Sequence, residues 1–250
     1  MIKKRHIPYH LDDPNATIHH REIILSTPFL KKIYLQWYKT FQDIYNQHPN
    51  GKYLELGSGG GFLKDILPDV ITSDILNLPY VDKQIDAQYL PFDDNFLDGI
   101  FMLNVFHHIP NPALFLKEAQ RTMKPGGTIA MIEPANTLFS RFIYKKFHHE
   151  PFDEKGELQI EAGKPLSHSN QALPYIYFIR EKKYFESNFP NLKIASVRYH
   201  TTLLYLLSGG VSYHPFVPAF SFSFFQMIEL LLYPVQKYTA LFQTIIIQKK

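Results

Sequence analysis

From Pro28 to about Gln47, apolar residues recur at Leu30, Ile33, Tyr34, Trp37, Phe41 and Ile44, the spacing of one helical face. Asn50-Gly51 ends that helix in a turn. Residues 1 to 27 are polar, His-rich and without period, and read as an arm or loop. After the turn, Lys52-Tyr-Leu-Glu-Leu-Gly57 is a short strand running into glycines, and Phe62 to Leu67 reads as a helix stopped by Pro68. Val70 to Asp74 predicts a second strand and Gly99 to Leu103 a third. Asn111-Pro112 starts a helix well, with Asn as cap and Pro at the first helical position. That helix stops at Lys124-Pro-Gly-Gly127, and Thr128 to Ile132 follows as a strand.

Strands separated by helices predict an α/β fold, a doubly wound and mostly parallel sheet. The rhythm breaks after Pro134. Residues 135 to 173 show no clear period and read as a first cap insertion. Pro174 to Phe189 returns to helix and Leu192 to Tyr199 to strand. Leu203 to Tyr238, apolar and punctuated by Pro, reads as a second, helical and aromatic cap insertion, before a last strand from Ala240 to Gln248. The expected organisation is an N-terminal arm and helix over 1–50 and one domain over 51–250.

Leu54-Glu55-Leu56-Gly57-Ser58-Gly59-Gly60-Gly61-Phe62 carries the strongest chemical signal. A strand that empties into glycines lets backbone N–H groups approach a ligand closely. A dinucleotide loop wants a small residue three places after its second glycine; Phe62 stands there, and Glu55 would sit beside a pyrophosphate. S-adenosylmethionine (SAM) has no phosphate, and its amino group suits a carboxylate. These residues favour SAM and disfavour an NAD(P)-dependent oxidoreductase. Asp74, thirteen residues after Gly61 at the next strand end, is placed to accept from ribose hydroxyls. Asp86 could accept from an adenine amino group while the following N–H donates to the ring.

Glu55-Leu-Gly57-Ser-Gly59-Gly-Gly61, Asp74, Asp86-Ala87, Leu90-Pro-Phe92, Phe96-Leu-Asp98 and Lys124-Pro-Gly-Gly127 together resemble the class I SAM-dependent methyltransferases of the type 11 group, over about residues 50 to 134. The resemblance implies that Glu55, Gly57, Ser58, Gly59 and Gly61 line the methionine and ribose of SAM. It also implies that Asp74 holds the ribose, Ile75 covers the adenine, Asp86 and Ala87 meet its edge, and Asn104 lies beside the methionine moiety. Gly60 departs from the usual loop pattern and is expected to loosen it. The segments after Pro134 follow no pattern that would carry over an acceptor.

With 45% apolar and 20% charged residues, the 250-residue chain can bury an ordinary core. A net charge of +3 without like-charge blocks gives no reason to expect nucleic acid as a partner. The absence of Cys excludes disulfides and thiolate chemistry. The basic start lacks an apolar stretch behind it, which predicts a cytoplasmic protein.

Methyl transfer from a sulfonium needs orientation above all, and a base only when the acceptor must lose a proton. His107 and His108, which follow the strand bearing Asn104, and His148 are the candidate bases. The bland alternative is that one of the adjacent pair packs and the other is surface. His148-His149-Glu150 finds no second cluster along the chain to complete a metal site, so no metal is expected. The most apolar stretch, Phe216 to Leu232, reads as pocket wall, peripheral membrane contact or dimer interface; Pro218 within it, Pro215 just before it and Glu229 disfavour a membrane span. The expected function is SAM-dependent methylation of a small or lipid-like acceptor, at oxygen before carbon or nitrogen. The alternative from another class is a non-catalytic SAM-fold protein that binds ligand or membrane.

Overall fold

The computed structural model describes residues 3–148 and 150–250. Seven strands form one sheet: β1 (Tyr53–Leu56), β2 (Ile71–Asp74), β3 (Lys83–Gln84), β4 (Leu97–Leu103), β5 (Met123–Pro134), β6 (Leu192–His200) and β7 (Phe242–Lys249). Their order is β3-β2-β1-β4-β5-β7-β6; β1 to β5 pair in parallel, and β7 runs antiparallel to both β5 and β6. Strand order reverses between β1 and β4. In an open parallel sheet the crevice beyond the carboxyl ends of those strands is where ligands bind.

The helices are α1 (Pro14–Ser26), α2 (Pro28–Tyr45), α3 (Pro112–Thr122), α4 (Leu138–Phe147), α5 (Leu173–Tyr175), α6 (Lys182–Asn188), α7 (Leu203–Ser208), α8 (Phe222–Leu231) and α9 (Gln236–Thr239). One face of the sheet is covered by α2, whose Phe41 stacks on Phe101 of β4 with ring centroids 4.9 Å apart. Further along α2, Trp37 meets Phe242 of β7 at 4.7 Å. On another wall of the core Phe106, just after β4, packs against Phe115 of α3 and Phe178.

Three segments differ from the sequence expectation. The arm contains α1, which lacks a helical period but has a start signal: Pro14 follows Asp13, whose carboxylate accepts the N–H of Asn15 at 2.8 Å. Tertiary contact then holds it, with Ala16, Ile23 and Ile24 buried. Phe62 to Leu67 forms only a 3-10 turn, Leu63–Asp65. Six residues between a glycine loop and Pro68 give too few hydrogen bonds to offset helix nucleation. The helix from Pro174 to Phe189 is broken by a π turn over Ile176–Arg180. Ile176, Tyr177 and Phe178 are all buried there, three successive positions that a regular surface helix cannot turn to one side together.

The second insertion is helical, as expected, but its most apolar part faces outward. Phe220, Phe224, Met227 and Leu231 lie on one stripe of α8 and its lead-in, 87%, 56%, 55% and 73% exposed. Those side chains therefore do not line an enclosed acceptor pocket. Glu229 turns the other way and is buried. Its carboxylate accepts the N–H groups of Thr202 (2.5 Å), Leu203 (2.8 Å) and Leu204 (3.0 Å), capping the start of α7. Its charge is thus withdrawn from the outer face. Among the described residues no helix is long and apolar enough to cross a membrane.

Candidate active site

The end of β1 delivers Glu55 and the glycine loop to the reversal point. Gly57 has φ +63°, and a Cβ there would lie 2.5 Å from Val105 Cγ2, so conformation and space both demand glycine. Gly60 serves a different purpose from the loosening expected of it. A Cβ on Gly60 would meet the Arg21 backbone nitrogen at 2.9 Å, so its bare backbone is what lets α1 lie against the loop. The loop is tied down further: Ser58 N–H donates to Ser73 O at 2.8 Å, and the Tyr80 hydroxyl to Gly59 O at 2.9 Å.

Glu55 is buried and accepts from the Ser58 hydroxyl at 2.5 Å. Burial pushes its carboxyl up to about 7, against the opposing Ser58 hydrogen bond. Asp74, at the end of β2, accepts from Gly59 N–H at 2.8 Å and Leu76 N–H at 2.9 Å. Burial raises its carboxyl too, and these N–H groups pull it back. The Ile75 N–H also acts on this carboxylate, whose roughly four acceptor positions still leave room for a ribose hydroxyl. Ile75, next along, is 40% exposed, and Asp86 follows Ile85, whose N–H donates to Asp74 O at 2.9 Å. Asp86 Oδ1 accepts from Gln88 N–H at 2.9 Å and so shapes its own turn, which carries Ala87.

Asn104 leaves β4 with φ +57°, a strained value for a non-glycine residue. Its side-chain Oδ1 is buried and has no hydrogen-bond partner in the protein. A ligand donor would satisfy it. These residues fit SAM: acids for an amino group and a ribose on β1 and β2, an orphaned acceptor just after neighbouring β4, and a loop of bare backbone.

Beyond Asn104 lies a second group that the sequence did not reveal. Glu133, wholly buried at the end of β5, accepts from Val105 N–H and Phe106 N–H, each at 2.8 Å, and lies 2.6 Å from His107 Nδ1. On the other side, His107 Nε2 is 3.3 Å from Glu150, which arrives from the first insertion. His108 Nε2 is 3.9 Å from the same carboxylate. Burial opposes the charge on His107, but the two carboxylates outweigh it and carry its pKa to about 9. Glu150 is disfavoured by burial yet held well below the usual carboxylate range by His107, His108 and His148. Both carboxylates thus favour the protonated imidazole of His107 in the absence of any ligand. His148 Nδ1 accepts from the Gln171 amide at 2.5 Å. His149 lies outside the described residues. The sequence singled out His107, His108 and Glu150 separately but not their meeting, and it gave no notice of Glu133, an acid closing an apolar strand.

The family described as "Methyltransferase domain" matches residues 54–131, the stretch from Glu55's strand through β5. The chain carries a class I methyltransferase domain of the type 11 group. The cofactor of that class is SAM. Over 61 residues the chain is 41% identical to the ubiquinone/menaquinone biosynthesis C-methyltransferase UbiE of Cellvibrio japonicus, covering 23% of this chain and 24% of that protein. Over 104 residues it is 32% identical to the demethylmenaquinone methyltransferase of Staphylococcus carnosus, covering 40% and 42%. The chain thus spans less than half the length of these curated relatives. A methyltransferase solved in complex with the Haloferax volcanii Trm112 methyltransferase activator shares the fold over 96% of both chains, with a TM-score of 0.53 and 15% identity.

Proposed function

We propose that this protein transfers the methyl group of SAM to a hydroxylated, lipid-like acceptor presented at a membrane surface. The observation that carries the transfer reading is the pair of buried acids, Glu55 and Asp74, at the strand-order reversal, with the unsatisfied Oδ1 of Asn104 beside them. SAM, when bound, supplies a methyl group already activated on a sulfonium, so the protein's task is orientation and exclusion of water. Glu55 holds the amino group, Asp74 the ribose hydroxyls, and Asn104 the methionine end. Ile75, Asp86 and Ala87 border the adenine.

The acceptor side is the carboxyl edge of β4 and β5, where the His107–Glu133–Glu150 group stands. A hydroxyl acceptor must lose its proton, and His107, His108 and His148, gathered around Glu150 at this edge, are the candidate bases. The lipid-like character of the acceptor is supported by the exposed stripe on α8. Further cations for such a surface stand on α4, namely Arg141, Lys146 and Lys145 (the last paired with Glu154 at 2.7 Å), and on α9, where Lys237 follows α8 in the chain and α9 packs against α4. Of the two relatives named above, one is by its name a ubiquinone/menaquinone biosynthesis C-methyltransferase and the other a demethylmenaquinone methyltransferase.

The test is calorimetry with SAM, followed by transfer of labelled methyl to long-chain phenols and quinols dispersed in anionic liposomes. The expected results are SAM binding without NAD(H) binding, and turnover that needs the liposome. Mass spectrometry of the product assigns the methyl to oxygen, as proposed, or to carbon. Binding of SAM without turnover of any acceptor would favour the non-catalytic reading.

A further inference from the structure

The fold builds a trio that the sequence keeps apart. His107 and His108 come from the turn after β4, and Glu150 from the first insertion, yet their ligand atoms all lie within 4.8 Å of one another. Among the described residues no other three His, Asp or Glu side chains meet in this way. The individual separations are 3.3 Å from His107 Nε2 and 3.9 Å from His108 Nε2 to the Glu150 carboxylate. An ion about 2.1 Å from each ligand needs ligand–ligand edges of roughly 3–3.5 Å, so small side-chain movements suffice. The 3.9 Å separation is too long for a hydrogen bond, and a bound ion would draw these two groups together by about 0.5 Å.

The surroundings add an independent observation. His107 presents Nε2 to this group because Nδ1 is held 2.6 Å from Glu133. Glu133 is itself fixed by two backbone N–H groups at 2.8 Å. A carboxylate on the far nitrogen of a ligating imidazole is the arrangement that orients such ligands and raises their basicity. The trio is also shielded: His107 and Glu150 side chains are 3% and 14% exposed, and His108 is 14% exposed.

We propose that His107, His108 and Glu150 bind a divalent first-row transition-metal ion, with Glu133 as the positioning residue behind His107. Two imidazoles and one carboxylate suit Zn²⁺, Fe²⁺ or Co²⁺ and leave coordination positions open. The cluster stands beside Asn104, at the carboxyl ends of β4 and β5, so an open position would face the acceptor side. In the metal-bound form His108 is a ligand, and the ion takes over the polarisation of an acceptor oxygen. The metal site does not depend on the methyl-transfer reading, because its occupancy is read on the protein alone.

The test uses the full chain, stripped with a chelator and titrated with CoCl₂ and then ZnCl₂. The expected result is about one equivalent of Co²⁺ with visible ligand-field absorption that Zn²⁺ bleaches, and a rise in Tm with Zn²⁺. Glu150→Gln and His108→Gln should each weaken binding at least tenfold and abolish the Tm rise. Glu133→Gln, which leaves all three ligands, should weaken it about ten- to a hundredfold. The proposal is overturned if the wild type shows neither absorption nor Tm shift, a result that needs no variant. It is equally overturned if folded Glu150→Gln or His108→Gln protein keeps the wild-type spectrum and affinity, since the ion then sits elsewhere. Should one ligand variant fail to fold, the other decides.

Discussion

The backbone N–H of Gly59 donates to Oδ2 of Asp74 at 2.8 Å, joining the glycine loop after β1 to the end of β2. The acid read as a ribose holder is therefore also a brace for the loop beneath the cofactor. Asp74→Ala removes both functions. It should weaken SAM binding by about 2–4 kcal/mol, for two charge-assisted hydrogen bonds to the ribose. Asp74→Asn retains an acceptor for Gly59 and should lose less. Calorimetry on both variants separates the two contributions; an unchanged dissociation constant in Asp74→Ala would refute the ribose role.

Glu55 makes SAM affinity dependent on pH. Burial raises its carboxyl to about 7, so near pH 6 it is mostly protonated in the protein without cofactor. A cationic amino group favours the carboxylate and draws the pKa down, so binding releases a proton. Affinity should then rise with pH up to about 7, approaching tenfold per unit, and level off above. Glu55→Gln should bind more weakly at pH 7.5 with a flat profile from 5.5 to 7.5. Titrations in buffers of different ionisation enthalpy would count the proton released, and a wild-type profile as flat as the variant's would remove Glu55 from the amino-group site.

The glycine loop, Asp74, Asn104 and the strand sequence were legible because each is a local feature, a residue at or just after a strand end. Strand periodicity and turn residues place such features without knowledge of the rest of the fold. What was not legible depends on distant pairings. Glu150 reaches His107 only because the first insertion folds back over β4, and nothing near either residue announces it. Gly60 looks like a defect in the loop until α1 is seen against it. Glu229 reads as a charge spoiling an apolar helix, yet its place is fixed by three N–H groups some 25 residues earlier in the chain. α1 and the 3-10 turn were missed for the opposite reason: short segments take their conformation from neighbours more than from their own period.

His200 gives the fold an acid-sensitive element. It lies at the end of β6 with both ring nitrogens engaged, Nδ1 with Thr201 Oγ1 and Nε2 with Thr244 Oγ1, each at 2.8 Å. Burial lowers its pKa to about 3, and nearby Arg198 adds to the effect. The folded state thus refuses a proton that the unfolded chain accepts near 6.5. The stability associated with neutral His200 is complete above pH 6.5 and is lost as pH falls from there towards 3, at up to about 1.4 kcal/mol per unit. Urea unfolding at several pH values should show this slope in the wild type and a shallower one in His200→Gln. Parallel slopes between pH 6 and 4.5 would show that other groups govern acid unfolding.

The exposed stripe on α8 yields the sharpest test of the membrane reading, because fold stability and surface binding make opposite demands on it. Phe224 and Met227 are 56% and 55% exposed, so replacing both with Ser removes little from the core, and surface changes of this kind usually stay within about 0.5 kcal/mol each. In a bilayer interface the same side chains would each bury apolar area worth up to about 1.5–3 kcal/mol. The double variant should therefore keep its Tm and its affinity for SAM, while binding to anionic liposomes falls by at least tenfold. The cations of α4 and α9 add a salt-dependent part, about 1 kcal/mol for each Lys or Arg near the lipid surface. Lys145→Ala with Lys146→Ala should weaken binding to anionic vesicles and leave binding to neutral ones unchanged. Co-sedimentation across a salt series separates the two contributions. If Phe224→Ser with Met227→Ser lowers Tm sharply and the wild type never sediments with liposomes, the stripe belongs to the protein's own packing, and the acceptor must reach the site from solution.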